Sequence, residues 1–277
     1  MTTRRTGEPG FVLLHGAGLG AWIWERMTPH LDRPHLAIDV PALRGAKDPA
    51  LRRLTLDDVV RSAAEEITSW GRERVILVAH SLGGALALGV AARIPERVAQ
   101  VVFVGATVPR DGEASMPILP PGQRAFLSVV LRWAPGLSSP GRARGPLAAA
   151  QRAGMRRALC NGLDDGAAAR VVRGFAPAVP RLYFDPVSWA DATADIPRRY
   201  VKLLRDRSGL SLAGQNEMIA NLGDVQVRIL DTGHLPMLSR PLELAAVLNA
   251  ASADALTAKH PPAECAPVTG HEDVSTL

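Results

Sequence analysis

Three side chains in this chain have the types and the order for acyl transfer: Ser81, Asp206 and His234. A serine hydroxyl is far too weakly acidic to attack an ester unaided. A histidine can take its proton and later deliver it to the leaving group. A carboxylate can hold that ring in one tautomer and stabilise its charged form. The tetrahedral intermediate carries an oxyanion, which backbone N–H groups can meet. The candidates are Leu82, directly after the serine, and Ala17, in the glycine-rich turn His15-Gly16-Ala17-Gly18. One such donor is typically worth about 3 kcal/mol of transition-state stabilisation. Gly16 and Gly18 would let the backbone present it with no side chain in the way.

The elements that must position these groups follow from hydrophobic patterning. Val75-Ile76-Leu77-Val78-Ala79-His80 is an apolar, β-branched run that ends at Ser81, and Gly83-Gly84-Ala85-Leu86-Ala87 opens a run with helical spacing. This predicts strand, tight turn, helix, with the serine at the tip and the small residues Ala79 and Gly83 on either side of it. A serine before two glycines can also be simply a helix cap. Further strands are predicted at 11–15, 35–40, 98–105, 199–204 and 225–230, and helices at 22–31, 55–70, after Ser81, 214–222 and 240–256. Alternation of strand and helix predicts an α/β fold: a doubly wound, mainly parallel sheet of about six strands. The rhythm breaks between 106 and 194, where no strand is evident and helices are expected near 123–133, 147–160 and 166–175. The expected organisation is a core of 1–105 and 195–257, a helical cap of 106–194 inserted after the fourth strand, and a disordered tail at 258–277.

In such a sheet, reactive groups gather at the carboxyl ends of the strands. Ser81, Asp206 and His234 each fall there, as does the turn after the first strand. Asp231 is a rival acid, and Asp206 has an alternative role as a loop aspartate paired with Arg205 or Arg207. His15 is expected to hold the oxyanion loop through backbone hydrogen bonds. Gly16, His80, Trp133 and Leu235 are the expected substrate contacts, with Trp22, Phe126, Phe184 and Trp189 as further lining or core. His30, His35, His260 and His271 read as surface groups.

Composition excludes several classes. The 277 residues are 47% hydrophobic and 21% charged, ordinary for a chain with a sizeable core. The net charge of +5 is almost all arginine, and the basic residues form no run that marks a nucleic-acid footprint. Arginines do accumulate between 124 and 181, read either as solvated helix faces or as a cap attracting anionic or carrier-bound substrates. No segment approaches the ~18 apolar residues of a membrane span. With no signal peptide at the amino terminus and two cysteines, a cytoplasmic protein with free thiols is expected. No metal-ligand spacing appears and no cofactor is implied. The expected partner is a small-molecule substrate, and the oligomeric state is open, a homodimer included.

Residues 11–24 (Phe-Val-Leu-Leu-His-Gly-Ala-Gly-Leu-Gly-Ala-Trp-Ile-Trp), 78–84 (Val-Ala-His-Ser-Leu-Gly-Gly) and 233–245 (Gly-His-Leu-Pro-Met-Leu-Ser-Arg-Pro-Leu-Glu-Leu-Ala) resemble the α/β-hydrolases, most of all the plant methylesterase and hydroxynitrile-lyase branch and its bacterial relatives. Ala79 stands where the common Gly-x-Ser-x-Gly elbow has its first glycine. The resemblance implies a serine hydrolase cleaving a carboxylic ester of a small or medium apolar molecule through an acyl-Ser81 intermediate. The lyases of that branch tend to carry threonine after the first-loop histidine and lysine after the catalytic histidine; Gly16 and Leu235 stand there. The same scaffold hosts lyases, cyclases and thioesterases of natural-product metabolism, and a ligand receptor without turnover is a third reading.

Overall fold

The computed structural model describes residues 8–115 and 145–257. The expected helix at 123–133, Phe126, Trp133 and the tail from 258 lie outside the described residues. The strands are β1 (Gly10–Leu14), β2 (His35–Ile38), β3 (Val75–His80), β4 (Val98–Val104), β5 (Glu113–Ala114), β6 (Pro186–Val187), β7 (Arg198–Leu203) and β8 (Gln226–Leu230). Six of them form one parallel sheet in the order β2-β1-β3-β4-β7-β8.

β1, β3 and β4 read as continuous apolar runs because both faces are covered, whereas the edge strands β2 and β8 keep exposed residues. Val12, Leu14, Leu77, Ala79, Val101 and Phe103 enter one core, beneath α1 (Leu56–Ser69) and α2 (Gly83–Arg93). Phe11, Leu13, Ile76, Val78, Val102 and Val104 enter the other, which also holds α4 (Asp165–Gly174) side chains Val171 and Val172. Residues one apart on a strand thus serve opposite cores. Helix α1 starts at a capping box: the Asp58 N–H donates to Thr55 Oγ1, and the Thr55 N–H donates to Asp58 Oδ2. Its buried stripe is Leu56, Val59, Val60, Ala63, Ala64 and Ile67, the 3- and 4-residue spacing visible in the sequence.

The chain leaves β1 toward β2 on one side and returns to β3 on the other. A doubly wound sheet opens a crevice at this switch point. The Gly16–Gly20 turn and the Ser81 turn both emerge into it.

Two features depart from the sequence expectations. The helix expected over 22–31 is two short 3-10 turns, Ala21–Trp24 and Thr28–His30. Pro29 explains the break, because its ring and missing N–H cannot continue an α-helix through that point. The segment between β4 and β7 holds a short ladder, β5 against β6, antiparallel with Glu113 opposite Val187 and Ala114 opposite Pro186. Strands of two residues are too short to leave a period in the sequence. That segment also contains α3 (Pro146–Leu159), α4 and α5 (Arg181–Phe184). Several of its arginines reach acids: Arg170 pairs with Glu25 and stacks over the Trp22 ring at 4.3 Å, and Arg156 pairs with Asp165. Exposed pairs of this kind are each worth about 0–1 kcal/mol.

Three further helices complete the described fold: α6 (Leu212–Leu222), α7 (Pro236–Ser239) and α8 (Pro241–Thr257).

Candidate active site

Ser81 is the only non-glycine residue with positive φ among the described residues, at +53°. That conformation costs an L-residue roughly 1–2 kcal/mol. Its surroundings hold it there. The Ser81 carbonyl accepts from the N–H groups of Gly84 (3.0 Å) and Thr107 (2.9 Å) and from the Thr107 hydroxyl (3.3 Å). The two glycines that follow allow the close approach. A Cβ on Gly83 would lie 2.8 Å from the His15 carbonyl oxygen, and one on Gly84 only 2.1 Å from that of Thr107.

His234 follows β8, and Asp206 follows the neighbouring β7. The His234 Nδ1–H donates to Asp206 Oδ2 at 2.8 Å, with both side chains almost wholly buried. Burial alone would raise the Asp206 pKa. The His234 ring outweighs it, together with hydrogen bonds from the Ser208 N–H and hydroxyl, so the carboxyl sits below its ordinary value. The rival acid faces elsewhere: Asp231 is exposed and forms an ion pair with Arg205.

The oxyanion candidates also converge here. Ala17 and Leu82 line the same cavity as Ser81 and His234. Among the described residues, no acceptor takes the backbone N–H of either. His15 braces the first loop, as its Nδ1–H donates to the Gly16 carbonyl (2.9 Å) and its Nε2 accepts from the Val40 N–H (3.0 Å). Gly18 (φ +79°) lies under the Phe175 ring, and its carbonyl accepts from the Ala176 N–H, which ties the exit of α4 to this loop.

The cavity measures about 200 Å³. A larger groove of about 630 Å³ runs along β2 and α1, but no histidine among the described residues lines it. Of the expected substrate contacts, Gly16, His80 and Leu235 do not line the cavity. Gly16 lies behind the wall, where a Cβ would meet Ser81 Cβ at 2.7 Å. Leu235 is buried in the second core because its side chain turns away from the loop that presents His234. His80 is fully buried: its Nε2–H donates to the His234 carbonyl at 2.9 Å, and its ring lies 4.6 Å from the His234 ring. It supports the loop that carries His234. Trp22 packs against the second core, Trp189 is buried with its indole N–H on the Pro109 carbonyl, and Phe184 points to solvent.

The sequence reading missed Thr107, Ser115, Phe175, Tyr183 and Ser208 as cavity residues. Thr107 and Ser208 lie just past the carboxyl ends of β4 and β7, where the strand-end rule could have found them. Ser115 and Tyr183 come from stretches without periodicity, and Phe175 ends the helix expected at 166–175, whose pattern does not show what its end meets.

Two buried histidines give the folded chain a pH signature. Burial, reinforced by the nearby His234, lowers His80 from 6.5 to about 3, and burial lowers His15 as well. Both rings are neutral in the folded chain where unfolded histidine is charged. Unfolding therefore takes up protons below pH 6.5, and stability falls as pH drops from there toward about 3. Each proton contributes a slope of about 1.4 kcal/mol per pH unit. Asp206 adds its own loss only below its ordinary 3.8. Urea unfolding between pH 4.5 and 6.5 is expected to show this slope, and His80→Phe should remove up to one proton from it. An unchanged slope in the variant would contradict the neutral, buried His80.

Comparison with known proteins bears on the family and the fold. A model described as "Alpha/beta hydrolase family" matches residues 11–247. A pimeloyl-[acyl-carrier protein] methyl ester esterase of Aromatoleum aromaticum is 30% identical over 261 residues, covering 87% of this chain and 97% of that protein. A putative chloroplastic methylesterase 12 of Arabidopsis thaliana is 35% identical over 107 residues, 37% of this chain; the match spans only 31% of that protein's length. Among solved structures, an extracellular alpha/beta-hydrolase from Paenibacillus superposes with TM-score 0.72 at 19% identity, covering 87% of this chain and 97% of that one.

Proposed function

The chain belongs to the alpha/beta hydrolase family, and from that premise we propose that it hydrolyses a carboxylic ester through an acyl-Ser81 intermediate. One observation carries the reading: the Asp206–His234 pair, the strained Ser81 and the two open N–H groups of Ala17 and Leu82 meet at one cavity.

In the proposed reaction Ser81 Oγ attacks the ester carbonyl carbon while His234 Nε2 takes the hydroxyl proton. The oxyanion lies between the Ala17 and Leu82 N–H groups. Asp206 keeps the Nδ1–H of His234 in place and stabilises the charged ring. The intermediate collapses, the carbon–alkoxide bond breaks, and His234 gives its proton to the departing alcohol. A water molecule, deprotonated by His234, then attacks the acyl carbon. Release of the acid returns the proton to Ser81.

The positions where the lyase branch carries threonine and lysine support hydrolysis over cyanohydrin cleavage. Gly16 has no room for a side chain beside Ser81, and Leu235 is 1% exposed. The names of the relatives favour methyl esters as the first substrates to try. Stopped-flow hydrolysis of p-nitrophenyl butyrate tests the covalent step. A burst of about one p-nitrophenolate per chain is expected. Failure to turn over any p-nitrophenyl or methyl ester of a short acid would remove the proposal.

A further inference from the structure

The cavity at Ser81 has two unlike walls. Leu19, Leu159 and Phe175 belong to the second core or pack against it and form an apolar side. The other side carries hydroxyls, and most of them are already committed. Ser81 is the nucleophile of the reading above, Thr107 bonds the Ser81 carbonyl, and Ser208 bonds Asp206. Two remain. Ser115 is 5% exposed, and its Oγ has no hydrogen-bond partner. Tyr183 lines the same cavity, and its hydroxyl has no partner among the described residues.

The short β5–β6 ladder explains why these two belong together. Ala114 pairs with Pro186, so Ser115 is next in register to Asp185, two residues from Tyr183. The ladder therefore brings two uncommitted hydroxyls from distant parts of the chain to one wall. A buried hydroxyl without a partner has lost its water and gained nothing for it. Ser115 is such a group, and the half-buried Tyr183 sets a second uncommitted hydroxyl on the same wall. Burial also keeps the Tyr183 phenol protonated, well above its ordinary value, so it acts as a donor.

We propose that Ser115 and Tyr183 form a specificity subsite that hydrogen-bonds a second oxygen of the substrate, so that the preferred ester carries a carbonyl or hydroxyl acceptor besides the ester group. This rests on the ester-hydrolase reading and narrows it. The apolar wall takes the hydrocarbon part, and the hydroxyl wall takes the extra oxygen. A site of this kind rejects the analogue that lacks the acceptor, because the protein hydroxyls are then left unpaired.

The test compares methyl 4-oxopentanoate with methyl pentanoate, whose ester groups are of similar intrinsic reactivity. The wild-type chain is expected to favour the keto ester in kcat/KM by roughly tenfold, about fivefold or less from each hydrogen bond. Tyr183→Phe and Ser115→Ala are each expected to lower that preference several-fold, and the double variant to bring the ratio near unity. The ratio carries the readout, so a general loss of packing that slows both esters does not imitate the result. A wild-type ratio near unity, or variants that keep the wild-type ratio, would overturn the subsite while hydrolysis of both esters leaves the function above intact. A chain that hydrolyses neither ester and shows no burst overturns both.

Discussion

Ser81→Ala is expected to lower kcat/KM for p-nitrophenyl butyrate by about 10⁴-fold or more, with the fold intact. Removal of the nucleophile in a serine hydrolase leaves only what the oxyanion donors and binding supply, and losses of ~10⁴–10⁶ are the norm. The variant should fold because the Ser81 hydroxyl takes no part in holding the elbow. The bonds that fix the turn go to its carbonyl oxygen, from Gly84 and Thr107. Alanine must still adopt φ +53°, a strain that serine already bears. Residual activity within tenfold of wild type, in a chain whose thermal midpoint is unchanged, would assign the chemistry elsewhere.

Asp206→Asn should cost nearly as much, and Asp231→Asn almost nothing. Asparagine can still accept the Ser208 N–H through its amide oxygen, so the loop after β7 keeps its turn. It carries no charge to stabilise the imidazolium, and its amide NH2 can hold the His234 ring in the wrong tautomer. Changes of this type lower kcat by ~10⁴. Asp231 is exposed, paired with Arg205 and away from the cavity, so its variant is expected within twofold of wild type. Steady-state kinetics of the two variants side by side decides between the acids. A large loss at Asp231 and a small one at Asp206 would reverse the assignment.

The choice between these acids marks how far the sequence could be read. Both aspartates sit at strand ends and both precede small loops. What separates them is the adjacency of β7 and β8, which sends Arg205 to Asp231 and leaves Asp206 for His234. β1, β3 and β4 were legible as apolar runs, and β2, β7 and β8 as shorter or charge-interrupted runs between helical stretches, whereas β5 and β6 were too short to read. The elbow was legible because only a small-residue turn fits between β3 and α2 at contact distance, as the 2.1 Å approach beside Gly84 shows.

The cavity lining was not legible. Ser115 and Tyr183 are brought together by a two-residue ladder with no period to detect, and His80 looked like a pocket residue because it neighbours Ser81. A β-strand turns successive side chains to opposite faces. His80, the last residue of β3, points into the packed interior, where its N–H reaches the His234 carbonyl.

The central claim is that Ser81 is a nucleophile activated by the Asp206–His234 pair. Intact-mass and peptide mass spectrometry after incubation with a fluorophosphonate tests it most directly. A single adduct is expected on the peptide carrying Ser81, its formation slowed by Asp206→Asn and abolished by Ser81→Ala. A folded wild-type chain that forms no adduct, or forms it on another residue, would contradict it.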